Sequence, residues 1–370
     1  MKKILALALC LVLVLALSGC DRFATNPMIT TPTGDGDITG DITLNVYNWG
    51  QNIAAGDDGA IDVIRLFEER YPNIKVNYLT YDSNETMYTK LKTGGISVDV
   101  IVPSDYMIGR MIAENMLLPL NFDNIPNYSA VDDAYKNTAY DPENKYSVPY
   151  TWGTVGIIYN TKYVNEADVT GWELLWNKKY ADKILMFGNS RDAFGIANLL
   201  LGNDINASTE AELQAAAELL RQQRPLVQQY IMDEVYDLMD NEEAWIAPYY
   251  AGDYMLMALE NEDLAFYRPE HQGFNFFIDA MCIPTCCQNK AAAELFINFI
   301  CEPEIAGGNM NWIGYGTPIS SAKVYLDPYM SESEVAYPSQ DTLEKGSSFI
   351  YLDPAVNQRM EDLWLSVKTD

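Results

Sequence analysis

Between residues 42 and 102 the hydrophobic period of the chain changes four times. Ile42-Thr43-Leu44-Asn45-Val46-Tyr47 alternates as a strand does, and residues 60–70 carry an amphipathic helical pattern that Pro72 stops. A strand is expected over 75–79 and a short helix over 86–93, ending at Gly94-Gly95. An apolar strand follows over 98–102, closed by Pro103. Strand, helix, strand, helix, strand in that order implies an α/β chain with a largely parallel sheet and helices on both faces. Ligands of such sheets bind beyond the carboxyl ends of the strands. The loops at 48–52 and 103–107 lie there. No glycine-rich nucleotide loop, internal repeat or cofactor motif accompanies them.

The N-terminus reads differently. Lys2 and Lys3 precede an apolar run over 4–17, and Leu17-Ser18-Gly19-Cys20 follows. A charged start, a short apolar stretch and small residues before a cut are the marks of a secretory signal. The run falls short of the roughly 20 residues that span a bilayer. Leu17-Ser18-Gly19-Cys20 resembles the bacterial lipobox, in which the cysteine is acylated and becomes the new N-terminus. That resemblance implies a signal peptide over 1–20 and membrane anchoring through lipid on Cys20. Residues 21–41, rich in Pro, Gly, Thr and Asp without apolar periodicity, read as a flexible tether. No second membrane segment follows Cys20.

Roughly 330 residues remain, large for one core and suggestive of two lobes. The chain has 24 Lys+Arg against 52 Asp+Glu, a formal charge of −28. Such a balance argues against nucleic acid, whose phosphates need basic partners, and raises the local concentration of cations. Beyond Cys10 and Cys20 the cysteines are Cys282, Cys286, Cys287 and Cys301. Their spacing matches no usual zinc pattern. A helix is expected between Cys287 and Cys301, which would hold those two about 20 Å apart, too far for a disulfide. They read as structural or free thiols.

Further strands are expected over 155–159, 244–248 and 274–283, and helices over 207–222 and 291–301. Trp172, Trp176 and Trp364 read as core, with Trp245 inside a strand. Several strings then resemble the spermidine/putrescine-binding proteins of polyamine ABC transporters. They are Tyr47-Asn48-Trp49, Asn84-Glu85-Thr86-Met87-Tyr88-Thr89-Lys90-Leu91, Val102-Pro103-Ser104-Asp105-Tyr106, Val148-Pro149-Tyr150-Thr151-Trp152-Gly153, Phe277-Ile278-Asp279 and Ile313-Gly314-Tyr315-Gly316-Thr317-Pro318. They occur in the family's order, from about residue 42 almost to the C-terminus. The resemblance implies a type II periplasmic-binding-protein fold: two α/β lobes joined by a two-crossing hinge, with a ligand cleft between them. The crossings are expected near Thr151 and Asp279. The N-terminal lobe would comprise 42–151 and 280–323, the C-terminal lobe 152–279 and 324–370.

A polyamine is a thin apolar chain carrying separated ammonium groups. Its site needs aromatic faces for the methylenes and for cation–π contact, and carboxylates to accept charge-assisted hydrogen bonds. The resemblance implies that Trp49, Tyr250, Phe277 and Tyr315 form aromatic walls. It implies that Ser104 and Tyr106 offer hydroxyls, and that Asp279 is the central ammonium partner. Gln51, Asn189 and Asp192 fall at polar positions where the family can carry acids. Here two of the three are amides, so Asp192 and Asp279 remain from that set. Asp105 and Asp253 would add to it if they point into the cleft. A contact near Ser348 or Phe349 is not aligned. Diamine and triamine both stay open. The expected partners are the permease and cytoplasmic ATPase of an importer, with the protein itself a monomer that needs no cofactor and performs no catalysis. The alternatives are a ferric-ion binder using Tyr249-Tyr250 and His271, a carboxylate-based hydrolase, and a polyamine sensor or adhesin on the same fold.

Overall fold

The structure, a computed structural model, describes residues 38–369. The lipobox, Cys20 and nearly all of the tether lie outside them. Strand β1 (Ile42–Trp49) leads to helix α1 (Val63–Arg70), β2 (Ile74–Tyr81), α2 (Asn84–Lys92), the two-residue β3 (Val100–Ile101) and α3 (Asp105–Ala113). A 14-residue strand β4 (Ser147–Asn160) begins the second half. It is followed by β5 (Ile184–Phe187), α4 (Ser190–Leu200), α5 (Glu210–Gln223), β6 (Val227–Ile231), α6 (Val235–Asp240), β7 (Ile246–Tyr250), α7 (Ala251–Glu260) and β8 (Leu264–Tyr267). The chain then returns through β9 (Phe274–Cys282), α8 (Lys290–Ile300), α9 (Pro303–Ile313), the short β10 (Gly346–Ser347) and α10 (Pro354–Thr369). No described helix is long and apolar enough to cross a membrane.

The strands join in the order β2-β1-β3-β9-β4-β7-β5-β6. β1 runs parallel to β2 and β3, and β5 runs parallel to β6 and β7. The two parallel groups are linked by the antiparallel pair β4 and β9. Side chains alternate along a strand, so β1 feeds two cores. Leu44 and Val46 pack with Phe67, Phe296 and Phe299, while Tyr47 packs on the other face with Met87 and Met107. A third core, around Trp172, Phe187, Phe194 and Trp364, belongs to β5, β7, α4 and α10.

β4 and β9 pass from one core to another. Val148 and Tyr150 pack with Phe67, whereas Val155 and Ile157 pack with Trp172. Between them the register shifts, with Pro149 opposite Ala280 and Thr151 opposite Asp279. Pro149 has no N–H for the ladder, and the extra residue makes a bulge, a common way to re-aim side chains beside a site. In the last segment Leu326, Met330 and Ala336 still pack with the Phe67 core, and Phe349 begins the contacts with the Trp172 core. Core membership therefore changes later than residue 323, because the segment after α9 folds back onto that helix.

Local chemistry moved several expected boundaries. The helix expected from residue 60 starts at Val63, because the Asp62 carboxylate accepts the Arg65 N–H as a cap. The helix expected from 207 starts at Glu210, behind a capping box of Thr209 and Glu212. The strand expected over 98–102 keeps only two residues. The Asp99 carboxylate beside it accepts the backbone N–H groups of Asn45, Gln288 and Asn289, each at 2.9 Å. The strand expected over 155–159 is the second half of β4. Trp245 lies just before β7 and stacks on Tyr163 at 4.7 Å, while Trp172 and Trp364 are buried as expected. The four described cysteines are free thiols.

Candidate functional site

The carboxyl ends of β1 and β3, the middle of β9, and the helices after β5 and β7 surround one cavity of about 90 Å³. All ten residues named from the sequence line it: Trp49, Gln51, Ser104, Tyr106, Asn189, Asp192, Tyr250, Phe277, Asp279 and Tyr315. Phe349, the residue that could not be aligned, lines it too.

The aromatic walls are fixed by their polar ends. Trp49 donates its indole N–H to the Val102 carbonyl at 2.9 Å, and its ring lies 4.7 Å from Tyr81. Tyr250, Phe277 and Tyr315 form a run of edge-on rings at 5.4 and 6.0 Å. Tyr315 donates its hydroxyl to Asp253, as does Tyr236 at 2.5 Å. Tyr106 donates to Glu85 at 2.8 Å, and its ring meets Phe349 edge-on at 6.0 Å. Such rings offer the apolar faces a methylene chain needs and leave their negative π clouds for a cation.

The carboxylates are the other half of the site. Among the described residues seven line the cavity (Asp82, Glu85, Asp105, Asp192, Asp233, Asp253 and Asp279), and no Lys, Arg or His does. Ser104 donates its hydroxyl to Asp279 at 2.6 Å, and Thr151 approaches the other oxygen at 3.5 Å. Burial pushes the Asp279 carboxyl up to about 7, and the Ser104 hydrogen bond only partly opposes it. Burial likewise pushes Asp253 up to about 6 against its two tyrosine donors. Asp192, Glu85 and Asp233 are raised for the same leading reason. These shifts mark carboxylates deprived of both water and a counter-charge.

Asn189 has a different role from a ligand acid. Its carbonyl caps α4 by accepting the Asp192 N–H at 2.8 Å, and its amide donates to Asp192 Oδ2 at 2.8 Å. Tyr250 donates to the same oxygen at 2.9 Å. Asp192 is thus held by two neutral donors on one oxygen, Oδ2. Gln51 is exposed on the loop after β1. There the walls come close, since a Cβ at Gly50 would stand 3.2 Å from Asp233 Oδ2.

Sequence reasoning missed Glu85, Asp82 and Asp233. One signal was available for the first two: Asp82-Ser83-Asn84-Glu85 follows the carboxyl end of β2, where ligands of parallel sheets bind. Asp233 follows β6 at the equivalent place in the second half. His271 is not among the lining residues.

Comparison with known proteins gives a consistent result. The profile of the family described as bacterial extracellular solute-binding protein matches residues 62–336. The spermidine/putrescine-binding periplasmic protein of Salmonella typhimurium is 32% identical over 305 residues, covering 82% of this chain and 85% of its own. The spermidine/putrescine ABC transporter substrate-binding protein PotD of Streptococcus pneumoniae has a solved structure, 33% identical with a TM-score of 0.74. That match covers 89% of this chain and 99% of the other. The Tp0655 (TpPotD) lipoprotein of Treponema pallidum, at 27% identity and a TM-score of 0.77, covers 89% of this chain and all of its own.

Proposed function

The chain belongs to the bacterial extracellular solute-binding proteins, with their type II periplasmic-binding-protein fold, and from that premise we propose that it captures a polyamine, spermidine or putrescine, outside the cytoplasm and hands it to an ABC importer. One observation carries this reading above the others: among the described residues, seven carboxylates and a run of aromatic rings line the cavity without a single basic residue. An ammonium entering such a space removes the cost of the buried negative charges and gains charge-assisted hydrogen bonds in return. The relatives' names, which specify spermidine and putrescine, support the same chemistry.

The action is capture and release, without covalent chemistry. In this reading 42–151 with 280 to about 336 form one lobe and 152–279 with the tail from about Phe349 form the other. The ligand bridges them, Asp279 taking one ammonium and Asp192 or Asp253 a second, with the chain between Trp49, Tyr250, Phe277 and Tyr315. Ligand favours the closed form because it gains contacts there that the open form lacks. The closed protein, a monomer, docks on a permease driven by a cytoplasmic ATPase. Lipid on Cys20 keeps it at the membrane surface, and residues 21–41 give it reach.

Calorimetric titration with putrescine, cadaverine and spermidine tests the ligand assignment. Saturable one-to-one binding is expected for at least one of them, and the ranking decides diamine against triamine. Absence of heat together with absence of a thermal shift for all three would contradict the assignment.

A further inference from the structure

Asp105 is the least explained member of the cavity lining. It opens α3 and is 2% exposed. Its Oδ1 accepts the Tyr106 N–H at 2.7 Å, while Oδ2 is buried with no hydrogen-bond partner among the described residues. The segment that carries it is bonded to the ligand strand itself. Ser104 bridges Asp279 across the backbone, and the Ala280 N–H donates to the Pro103 carbonyl at 3.1 Å. Asp105 and Asp279 are therefore neighbouring acids behind one cavity wall.

Burial raises the Asp105 carboxyl and the charge of Arg191 partly lowers it, but no ion pair joins Arg191 to either acid among the described residues. Arg191, on α4, donates instead to the Asn206 side chain and the Ile350 carbonyl, at 2.7 and 3.0 Å. Its guanidinium lies over the rings of Phe349 and Tyr106, at 4.6 and 5.6 Å. The other titratable groups facing the pair are Asp253 from α7, Tyr81 from β2, Tyr150 from β4 and Tyr140, none of them a cation at neutral pH. Two ionised carboxylates this buried, unpaired by any cation, are far costlier than one ionised and one protonated.

We propose that ligand capture is an exchange of proton for cation: in the empty cleft Asp105 and Asp279 together hold a proton, and the arriving ammonium displaces it to solvent. The inference rests on the reading of the ligand as a polyamine. The step breaks one carboxyl O–H bond. The proton passes to buffer, and the ammonium takes its place as partner of the carboxylate pair. The polyamine's own ammonium groups stay charged through neutral pH, so the released proton comes from the protein. Burial holds Asp105 well above the usual carboxylate range, with Asp279 adding to the effect, and holds Asp279 at about 7. Both shifts agree with the exchange.

The test is calorimetry of the full chain, solubilised in detergent, with putrescine and spermidine at pH 6.5. Phosphate and ACES buffers, which differ widely in ionisation enthalpy, report the protons exchanged. The expected result is release of most of one proton per ligand, with affinity rising about fivefold from pH 6 to 7 and levelling off above 8. In Asp105→Asn, which keeps the acceptor for Tyr106, affinity is expected to fall and proton release per bound ligand to be cut by at least half. Equal heats in both buffers for the wild type, with binding intact, would overturn the exchange while leaving the polyamine reading in place. Unchanged release in Asp105→Asn, or release lost in Asp253→Asn instead, would overturn the assignment to this pair. Failure of both amines to bind would count against the function itself.

Discussion

Asp279→Asn is expected to weaken polyamine binding by about two to three orders of magnitude at pH 8 and, at the same pH, to raise the melting temperature of the empty protein. Removing one member of a buried, hydrogen-bonded charge pair costs about 2–5 kcal/mol of binding. Asp279 combines burial with a central position on β9, between the Phe277 ring and the Ser104 hydroxyl. The stability effect has the opposite sign. The Asp279 carboxyl sits at about 7 in the folded protein, against about 3.9 in an unfolded chain. The folded state therefore binds more protons between those values, and the empty protein gains stability as pH falls through that window. Above about pH 7 the ionised group is a burden, and an amide removes it. Scanning calorimetry at pH 8 and pH 5.5 checks the sign, since the gain from Asp279→Asn should shrink at the lower pH. A variant less stable at pH 8 with affinity unchanged would contradict both halves.

Gly314→Ala is expected to lower the melting temperature by about 5–10 °C and to loosen the cleft in the same stroke. Gly314 ends α9 in the left-handed conformation, with φ of 78°. Any L side chain is disfavoured there by about 1 kcal/mol or more. Space is the larger obstacle: a Cβ would stand 2.3 Å from the Gly252 carbonyl oxygen, which is backbone and has nowhere to move. Overpacking of this kind costs about 1–3 kcal/mol in addition. The next residue is Tyr315, whose hydroxyl is tied to Asp253 one residue beyond Gly252. The helix end, the aromatic wall and the second acid are thus one packed unit, so polyamine affinity should fall with stability. A melting curve like that of the parent, with unchanged affinity, would contradict this coupling.

How far the sequence reveals the fold depends on the range of the interactions involved. The alternation of β1 and the helical period of α1 are local patterns, and both elements stand close to where those patterns put them. Boundaries failed where one side chain decided them, as Asp62 does for α1 and Asp99 for β3. Ten candidate residues were legible through the resemblance to a known family, six of them inside its strings, and all ten line the cavity. Glu85 and Asp233 were missed because their place after a parallel strand marks the cleft end of the sheet but not which acid there turns inward. The bond from Tyr250, on a strand far along the chain, to the Asp192 oxygen that Asn189 also holds was not legible either. The isolation of Asp105 depends on Arg191 turning toward Ile350. Such facts belong to three-dimensional neighbours and carry no signature along the chain.

The claim beneath all of this is that the cavity reads positive charge. Titration with putrescine beside 1,4-butanediol, which has the same four-carbon chain with hydroxyls in place of ammonium groups, tests it most directly. Saturable binding of the diamine is expected, with none of the diol at a thousandfold higher concentration. Comparable affinity for the two, or binding of the diol alone, would contradict it.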